Sequence, residues 1–250
     1  MYATVRSELR RTAPSDTTPA RSFLMIPPYR SAADRLDPAF APDAIVLDLY
    51  EGWASQSPGA ARAAAVEALL PPRRCRSQVW ARIRPGYEPE ARRDAEALAG
   101  LVDGLIVPET SSAAELDALA EASDGTPLMP VIECAAGVAA LGRIVSHPSV
   151  VRLGHSGARL ALLDAAGRRV LGCGPGARRR AMLAVVLASA SEGLPGPVHD
   201  VRGGLPAGPG LLAGAAAAAE LGFTGQCVGS PGELPALRRL FGALPGPFAA

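Results

Sequence analysis

Residues 104–133 read GLIVPETSSAAELDALAEASDGTPLMPVIE, and this stretch decides the fold. Gly104–Pro108 and Leu128–Glu133 are short, nearly uninterrupted apolar runs. Such runs mark strands buried on both faces, as parallel sheets require. Between them, Ser112-Ala113-Ala114-Glu115 has the spacing of a capping box, which predicts a helix over Ala113–Ala122. Strand, helix, strand is the repeating unit of a parallel α/β fold.

The unit recurs in both directions along the chain. Further strands are predicted at Ser22–Pro27, Ala44–Leu49, Val79–Arg84, Val150–His155, Gly196–Val201 and Gly225–Ser230. Ser57-Pro58 sets a capping hydroxyl before a proline at the first helical position, and Ser230-Pro231-Gly232-Glu233 is a second capping box. Arg178–Ser191 and Leu211–Leu221 read as the helices around the seventh strand, and the second is so Ala-rich that it has to pack closely. Eight strand-then-helix units in about 220 residues match a single (β/α)8 TIM barrel. A doubly wound sheet is the alternative, but the regular units lack the longer crossover. No linker-like composition interrupts the pattern, so residues 21–250 are expected to form one barrel domain. Residues 1–20 are expected to be a flexible N-terminal arm, and Gly203–Gly210 a mobile loop over one face.

Composition narrows the chemistry. The chain has 250 residues, and its Lys+Arg total of 25 is entirely arginine. Without a lysine ε-amine there can be no Schiff-base aldolase lysine, no pyridoxal-phosphate lysine and no Walker-type phosphate loop. Arginine stays protonated and does not replace lysine in those roles. A net charge of only +1 gives no footprint for nucleic acid or for an anionic membrane. The cysteines Cys75, Cys134, Cys173 and Cys227 lie far apart, as reduced intracellular thiols do. The first 20 residues carry charges and no apolar core, so they do not read as a signal peptide. No stretch is long enough to span a membrane. A cytoplasmic protein is expected.

In a barrel of this kind chemistry gathers where strands end. The predicted strand ends place Asp48, Glu51, Glu133 and Asp200 around Arg82. That mixture suits a hard cation together with an oxygen-rich anion, because carboxylates hold Mg²⁺ and arginine grips carboxylates bidentately. Arg82, Asp48, Glu51 and Asp200 are the candidate catalytic residues. Arg21, Pro27, Arg30, Arg84, Ser156 and Ser230 are the candidate substrate contacts. Cys134 reads as a buried, inert thiol.

Several segments then carry a family resemblance. Arg21-Ser22-Phe23-Leu24-Met25-Ile26-Pro27, Asp43-Ala44-Ile45-Val46-Leu47-Asp48-Leu49 and Ala81-Arg82-Ile83-Arg84-Pro85 resemble the first three strands of the citrate lyase β-subunit and malyl-CoA lyase family, the HpcH/HpaI aldolase superfamily. Asp103–Pro108, Val131-Ile132-Glu133-Cys134-Ala135-Ala136-Gly137-Val138 and Leu221-Gly222-Phe223-Thr224-Gly225 resemble its later motifs, in order. The resemblance implies a Mg²⁺-dependent C–C lyase or condensing enzyme acting on 3-hydroxyacyl thioesters, carried by coenzyme A or by an acyl carrier protein. It implies that Glu133 binds the metal, that Arg82 stabilises the 2-oxo acid fragment, and that the chain forms homo-oligomers, trimers or hexamers. A metal and an arginine stabilise developing negative charge without a lysine imine, in keeping with the composition.

The chain also departs from the family pattern. No acid occupies Gly157–Arg159, where the family has a second metal-binding aspartate. The Glu-Asp after the second strand is Tyr50-Glu51, and the lysine after Pro108 is Glu109. An acyl thioester hydrolase and a catalytically degenerate binding or regulatory homologue are therefore the alternative functions. Gly154-His155-Ser156-Gly157-Ala158 also resembles the nucleophile elbow of α/β-hydrolases, with Asp164 or Glu192 and His199 as its partners, but the eight-unit rhythm opposes that fold.

Overall fold

The computed structural model describes residues 19–28, 42–51, 57–70, 77–156, 162–163, 169–171, 174–201 and 209–242. Its barrel strands are β1 (Ser22–Ile26), β2 (Ala44–Asp48), β3 (Gln78–Arg82), β4 (Gly104–Val107), β5 (Leu128–Ile132), β6 (Gly154–His155), β9 (Val198–His199) and β10 (Gly225–Val228). They close a barrel in the order β1-β10-β9-β6-β5-β4-β3-β2, with parallel pairing throughout. The helices are α1 (Pro58–Leu69), α2 (Pro89–Leu98), α3 (Ala114–Ala122), α4 (Ala135–Val145), α5 (Pro175–Ser191), α6 (Pro209–Leu221) and α7 (Leu234–Gly242). The single (β/α)8 barrel expected from the repeat is the fold of the chain. Residues 1–18 of the expected N-terminal arm, Arg30 and most of the Gly203–Gly210 loop lie outside the described residues, while Ala20, expected to belong to the flexible arm, is buried.

Alternation along the strands sorts side chains into two cores. Phe23, Val46, Trp80, Ile106, Val131 and Cys227 pack inside the barrel. Leu24, Ile45, Leu47, Leu105, Ile132 and Val228 pack outward against the helices. Gly104 makes room for the interior indole: a Cβ there would lie 2.3 Å from the Trp80 ring. The helices answer with small or aliphatic residues at helical spacing, such as Ala91, Ala95 and Leu98 on α2 and Ala215 and Ala218 on α6.

The capping signals are met in two cases and altered in a third. Ser57 caps α1, its hydroxyl accepting from the Ala60 N–H at 3.3 Å. Ser230 accepts from the Gly232 N–H at 3.3 Å and opens a 3₁₀ turn, Pro231–Glu233, before α7. At α3 the N-cap is Ala113, with no side-chain cap. The hydroxyls of Ser111 and Ser112 instead donate to Glu115 Oε1, at 2.5 and 3.2 Å, so the carboxylate outcompetes the backbone for them.

The stretch after β6 contains a short antiparallel pair, β7 (Leu162–Leu163) and β8 (Arg169–Leu171). Asp164 itself lies outside the described residues. The hairpin belongs to the connection after β6, so it stands at the C-terminal end of the barrel.

At the opposite end, Arg152 closes the barrel floor. Its guanidinium donates to the carbonyls of Gly196 (2.9 Å) and Ala20 and to the Thr224 hydroxyl (3.0 Å), and it lies 5.5 Å from the Phe23 ring centroid.

Candidate active site

The C-terminal ends of β2, β3, β5, β6 and β9 bring the polar residues of the mouth together. Asp48 lies two residues beyond interior Val46, Arg82 two beyond Trp80, and Glu133 two beyond Val131, so the three share the inward face. Ser156 follows the same alternation from Gly154, whose Cβ would meet Val131 and Val201. Register confirms the neighbours: Asp48 pairs with Arg82, and Ile132 with His155, one residue below Glu133 and Ser156.

Arg82 is fully buried. Its Nη1 donates to Asp48 Oδ1 at 3.3 Å and to Glu51 Oε2 at 2.9 Å. Asp48 Oδ1 also accepts the backbone N–H groups of Tyr50 (3.1 Å) and Glu51 (3.3 Å), which fixes the turn after β2. One edge of the guanidinium is thus anchored. Among the described residues, its Nε and Nη2 are buried without a hydrogen-bond partner.

Glu133 is 1 % exposed. Its Oε1 accepts the Glu109 N–H at 2.8 Å, while Oε2 is buried without a hydrogen-bond partner among the described residues. Burial pushes its carboxyl pKa up to about 7, against the pull of Arg82 and of the Glu109 N–H. The Ser156 hydroxyl tempers that rise, and it too is buried, without a hydrogen-bond partner among the described residues. Unsatisfied buried polar atoms are rare and costly in folded proteins. Here a cation edge, a carboxylate oxygen and a hydroxyl face the same mouth.

Glu109, at φ 53°, closes the rim between β4 and α3. Its Oε1 accepts the Tyr50 hydroxyl at 3.0 Å and its Oε2 the Tyr87 hydroxyl at 2.7 Å. The Tyr50 ring centroid lies 5.2 Å from the Arg82 guanidinium carbon. Sequence reasoning missed Tyr87 and the bridging role of Glu109. Only the position of Glu109 directly after a strand end pointed toward the rim.

The other predicted site residues are placed less centrally. Asp200 follows β9 in a left-handed turn, φ 56°, and its charge reaches interior Cys227 together with those of Asp48 and Arg82. Pro27 and Ser230 stand at the C-terminal ends of β1 and β10, where Ser230 is engaged as a cap. Arg84 turns to α2, where Asp94 Oδ2 takes its guanidinium at 2.9 Å and its backbone N–H at 3.4 Å. Asp94 is wholly buried; that burial raises its pKa, against the pull of Arg84 and Arg62. Arg21 precedes β1, so it lies at the N-terminal end of the barrel, with its guanidinium on the Phe241 carbonyl at 2.5 Å. A residue that starts a strand cannot reach a site built where the strands end.

Cys134 is the N-cap of α4, its sulfur accepting from the Gly137 N–H at 3.3 Å, and burial raises its thiol pKa. Gly137 is demanded by contact: a Cβ there would sit 2.4 Å from the Thr110 carbonyl oxygen. His155 and His199 alternate to the outer face, with ring centroids 6.1 Å apart, and both meet Phe223 edge-on.

The donors at the mouth are hard oxygens, of which Glu133 Oε2 is buried and has no hydrogen-bond partner among the described residues. This chemistry suits Mg²⁺, which takes one or two carboxylates and completes its shell with water and substrate oxygens. Among the described residues no group of three His, Cys, Asp or Glu side chains is arranged to hold a metal. A metal at Glu133 would therefore need further oxygens from elsewhere, including a ligand.

No curated protein matches the chain. Solved structures do. A citrate lyase β subunit from Mycobacterium tuberculosis is 26% identical, with a TM-score of 0.71, covering 90% of this chain and 97% of its own. A citrate lyase β subunit from M. tuberculosis complexed with oxaloacetate and magnesium is 25% identical, with a TM-score of 0.69 and coverage of 89% and 97%. RipC from Yersinia pestis shares the fold, with 24% identity, a TM-score of 0.66 and coverage of 90% and 96%. Residues 24–161, more than half of the chain, match the family described as HpcH/HpaI aldolase/citrate lyase. With the barrel, the ordered motifs and this match in agreement, the chain belongs to the HpcH/HpaI aldolase/citrate lyase family.

Proposed function

We propose that the chain is a Mg²⁺-assisted carbon–carbon lyase that splits a 3-carboxy-3-hydroxyacyl thioester into a 2-oxo acid and a shorter acyl thioester. The observation that carries this reading is the set of buried atoms at the mouth that lack a hydrogen-bond partner among the described residues: Arg82 Nε and Nη2, Glu133 Oε2 and Ser156 Oγ. A carboxylate beside a carbonyl would satisfy the two arginine donors, since a guanidinium fork matches a carboxylate. The family match and a relative complexed with oxaloacetate and magnesium support the same ligand class.

The residues divide the work as follows. Asp48 and Glu51 hold Arg82 so that its remaining N–H groups meet the substrate without reorganising. Glu133 would hold Mg²⁺ through Oε2, and the ion would supply Lewis-acid stabilisation of oxygen charge. We assign the base to Asp200, a carboxylate that follows β9 at the rim of the mouth. Asp200 takes the proton of the 3-hydroxyl, the C2–C3 bond breaks, and its electron pair leaves on the thioester fragment as an enolate. That enolate takes up a proton to give the shorter acyl thioester, while C3 becomes the carbonyl of the oxo acid. Arg82 stabilises the carboxylate and carbonyl of the oxo acid. Thioester carriage and assembly into homo-oligomers follow the family resemblance.

The test is incubation with coenzyme A thioesters of 3-carboxy-3-hydroxy acids and Mg²⁺, following oxo acid and acyl thioester by mass spectrometry. Equimolar release of both products is expected, with at least about a hundredfold loss in Arg82→Ala if transition-state charge is stabilised there. Free thiol without an oxo acid would identify a thioester hydrolase instead. Ligand binding without any product would identify a binding homologue.

A further inference from the structure

Two groups of the proposed reaction, Arg82 and Glu133, are oriented through one rim residue that touches neither substrate nor metal in that reading. Glu109 is at φ 53°, a left-handed conformation that costs any L side chain energy and that asparagine or glycine adopts more easily. Strain of this kind persists where the surroundings hold it, and it concentrates at functional sites. What the turn achieves is visible at both ends of the residue. Its main-chain N–H meets Glu133 Oε1 at 2.8 Å, which leaves Oε2 as the oxygen without a hydrogen-bond partner among the described residues. Its carboxylate takes the Tyr50 hydroxyl at 3.0 Å and the Tyr87 hydroxyl at 2.7 Å.

Tyr50 is thereby pinned at two points, by its hydroxyl on Glu109 and by its backbone N–H on Asp48 Oδ1 at 3.1 Å. Between those points its ring backs the Arg82 guanidinium, 5.2 Å away. Asp48 and Glu51 grip only Nη1 of that guanidinium, so its plane could pivot about this corner. The Tyr50 ring is the face against which it rests. Tyr87, one of the partners of this carboxylate, is 59 % exposed. Glu115 and the Val107–Thr110 hydrogen bond secure the start of α3 and the turn after β4 without it.

We propose that Glu109 is the positioning residue of the mouth, setting the Glu133 carboxylate through its main chain and the Arg82 guanidinium through Tyr50. This rests on the lyase reading above. It also accounts for a strained glutamate where a smaller residue would fit the backbone better.

The experiment compares kcat, KM and thermal midpoint for wild type, Glu109→Asn, Glu109→Gln, Tyr50→Phe and the Tyr50→Phe/Glu109→Asn pair. The reaction is the cleavage assay with coenzyme A thioesters and Mg²⁺. Asparagine keeps the left-handed turn and the N–H but is too short to bridge the tyrosines; glutamine keeps an oxygen for Tyr50. Glu109→Asn is expected to lower kcat about 30-fold, with KM within about threefold, as a misplaced reacting group would. Its thermal midpoint should stay within about 2 °C of wild type, and Glu109→Gln should recover kcat to within about threefold of wild type. Tyr50→Phe should lower kcat as well, and the pair should be no worse than about twofold beyond Glu109→Asn alone, because both act through one contact. Unchanged kcat in Glu109→Asn would overturn the proposal. So would a multiplicative loss in the pair, or a glutamine variant as impaired as asparagine. A wild type that neither binds nor cleaves any oxo acid or thioester overturns the lyase reading and this proposal with it, whereas an active wild type with an indifferent Glu109→Asn overturns the proposal alone.

Discussion

The guanidinium carbon of Arg82 lies 5.2 Å from the centroid of the Tyr50 ring, so this buried cation is held by an aromatic face as well as by Asp48 and Glu51. Lysine would restore the charge opposite Asp48, but it has neither the planar fork nor the stacking surface. Arg82→Lys should therefore weaken oxaloacetate binding, measured by calorimetry with Mg²⁺ present, by about tenfold or more, with only a modest loss of stability. Arg82→Ala is different in kind. It removes the guanidinium that Asp48, 2 % exposed, meets through Oδ1, and should cost about 3–5 kcal/mol in urea unfolding. Equal stability losses in the two variants would show that the charge opposite Asp48 is not what matters.

His155 gives a pH dependence with a definite sign. It is fully buried, neither ring nitrogen has a partner among the described residues, and its pKa is lowered from 6.5 to about 3 by burial first and by His199 second. Between those values the unfolded chain binds a proton at this site and the folded chain does not. Stability from neutral His155 is thus complete above about pH 6.5 and is lost as the pH falls toward about 3. The expected slope is up to about 1.4 kcal/mol per pH unit. Urea titrations of wild type and His155→Leu across this window should differ by that slope. Parallel curves would mean that another group governs acid unfolding.

Arg152 makes its case at the other end of the barrel. The carbonyls of Ala20 and Gly196 and the hydroxyl of Thr224 all converge on one guanidinium, whose burial lowers its pKa to about 9. Arg152→Met would fill much of the space while leaving those acceptors unpaired, at a cost of about 2–4 kcal/mol. Because the floor is remote from the strand ends, kcat and KM of the folded variant should stay within about twofold of wild type, as expected for independent sites. A selective loss of kcat would show that the floor and the mouth are coupled.

The contrast between Arg82 and its neighbours shows how far sequence reading reaches. Arg82 and Glu133 were legible because a strand alternates strictly, and two residues past a buried interior position lies the inward-facing rim. Arg84 obeys the same arithmetic, but the strand ends at Arg82, and Asp94 on α2 captures the side chain once alternation stops. Arg21 was misplaced because it is part of a family-like segment, although a residue ahead of β1 has to lie at the floor. Tyr50, Glu109 and Tyr87 come from three separate loops, separated by 22 to 59 residues. Their contact depends on a left-handed turn at a glutamate, and no local pattern announces it. The hairpin after β6 was hidden by the Ala and Leu content of its surroundings, which reads equally well as helix.

The metal requirement follows from the same geometry. Glu133 offers one buried oxygen, and no three His, Cys, Asp or Glu side chains are grouped for a metal among the described residues. A hard cation held by so few protein oxygens keeps most of its water and binds weakly until a ligand replaces that water. A bidentate dianion such as oxalate supplies two oxygens to the ion and can also meet Arg82. Each ligand should then strengthen the other by the same factor, since coupling between two bound species is reciprocal. Calorimetric titration of Mg²⁺ should show an affinity that rises at least about tenfold when oxalate is present, with the reverse titration giving an equal gain. Glu133→Gln keeps the acceptor for the Glu109 N–H but removes the charge, and it should erase the gain in both directions. Tight Mg²⁺ binding without oxalate, retained in Glu133→Gln, would place the ion at a different set of ligands.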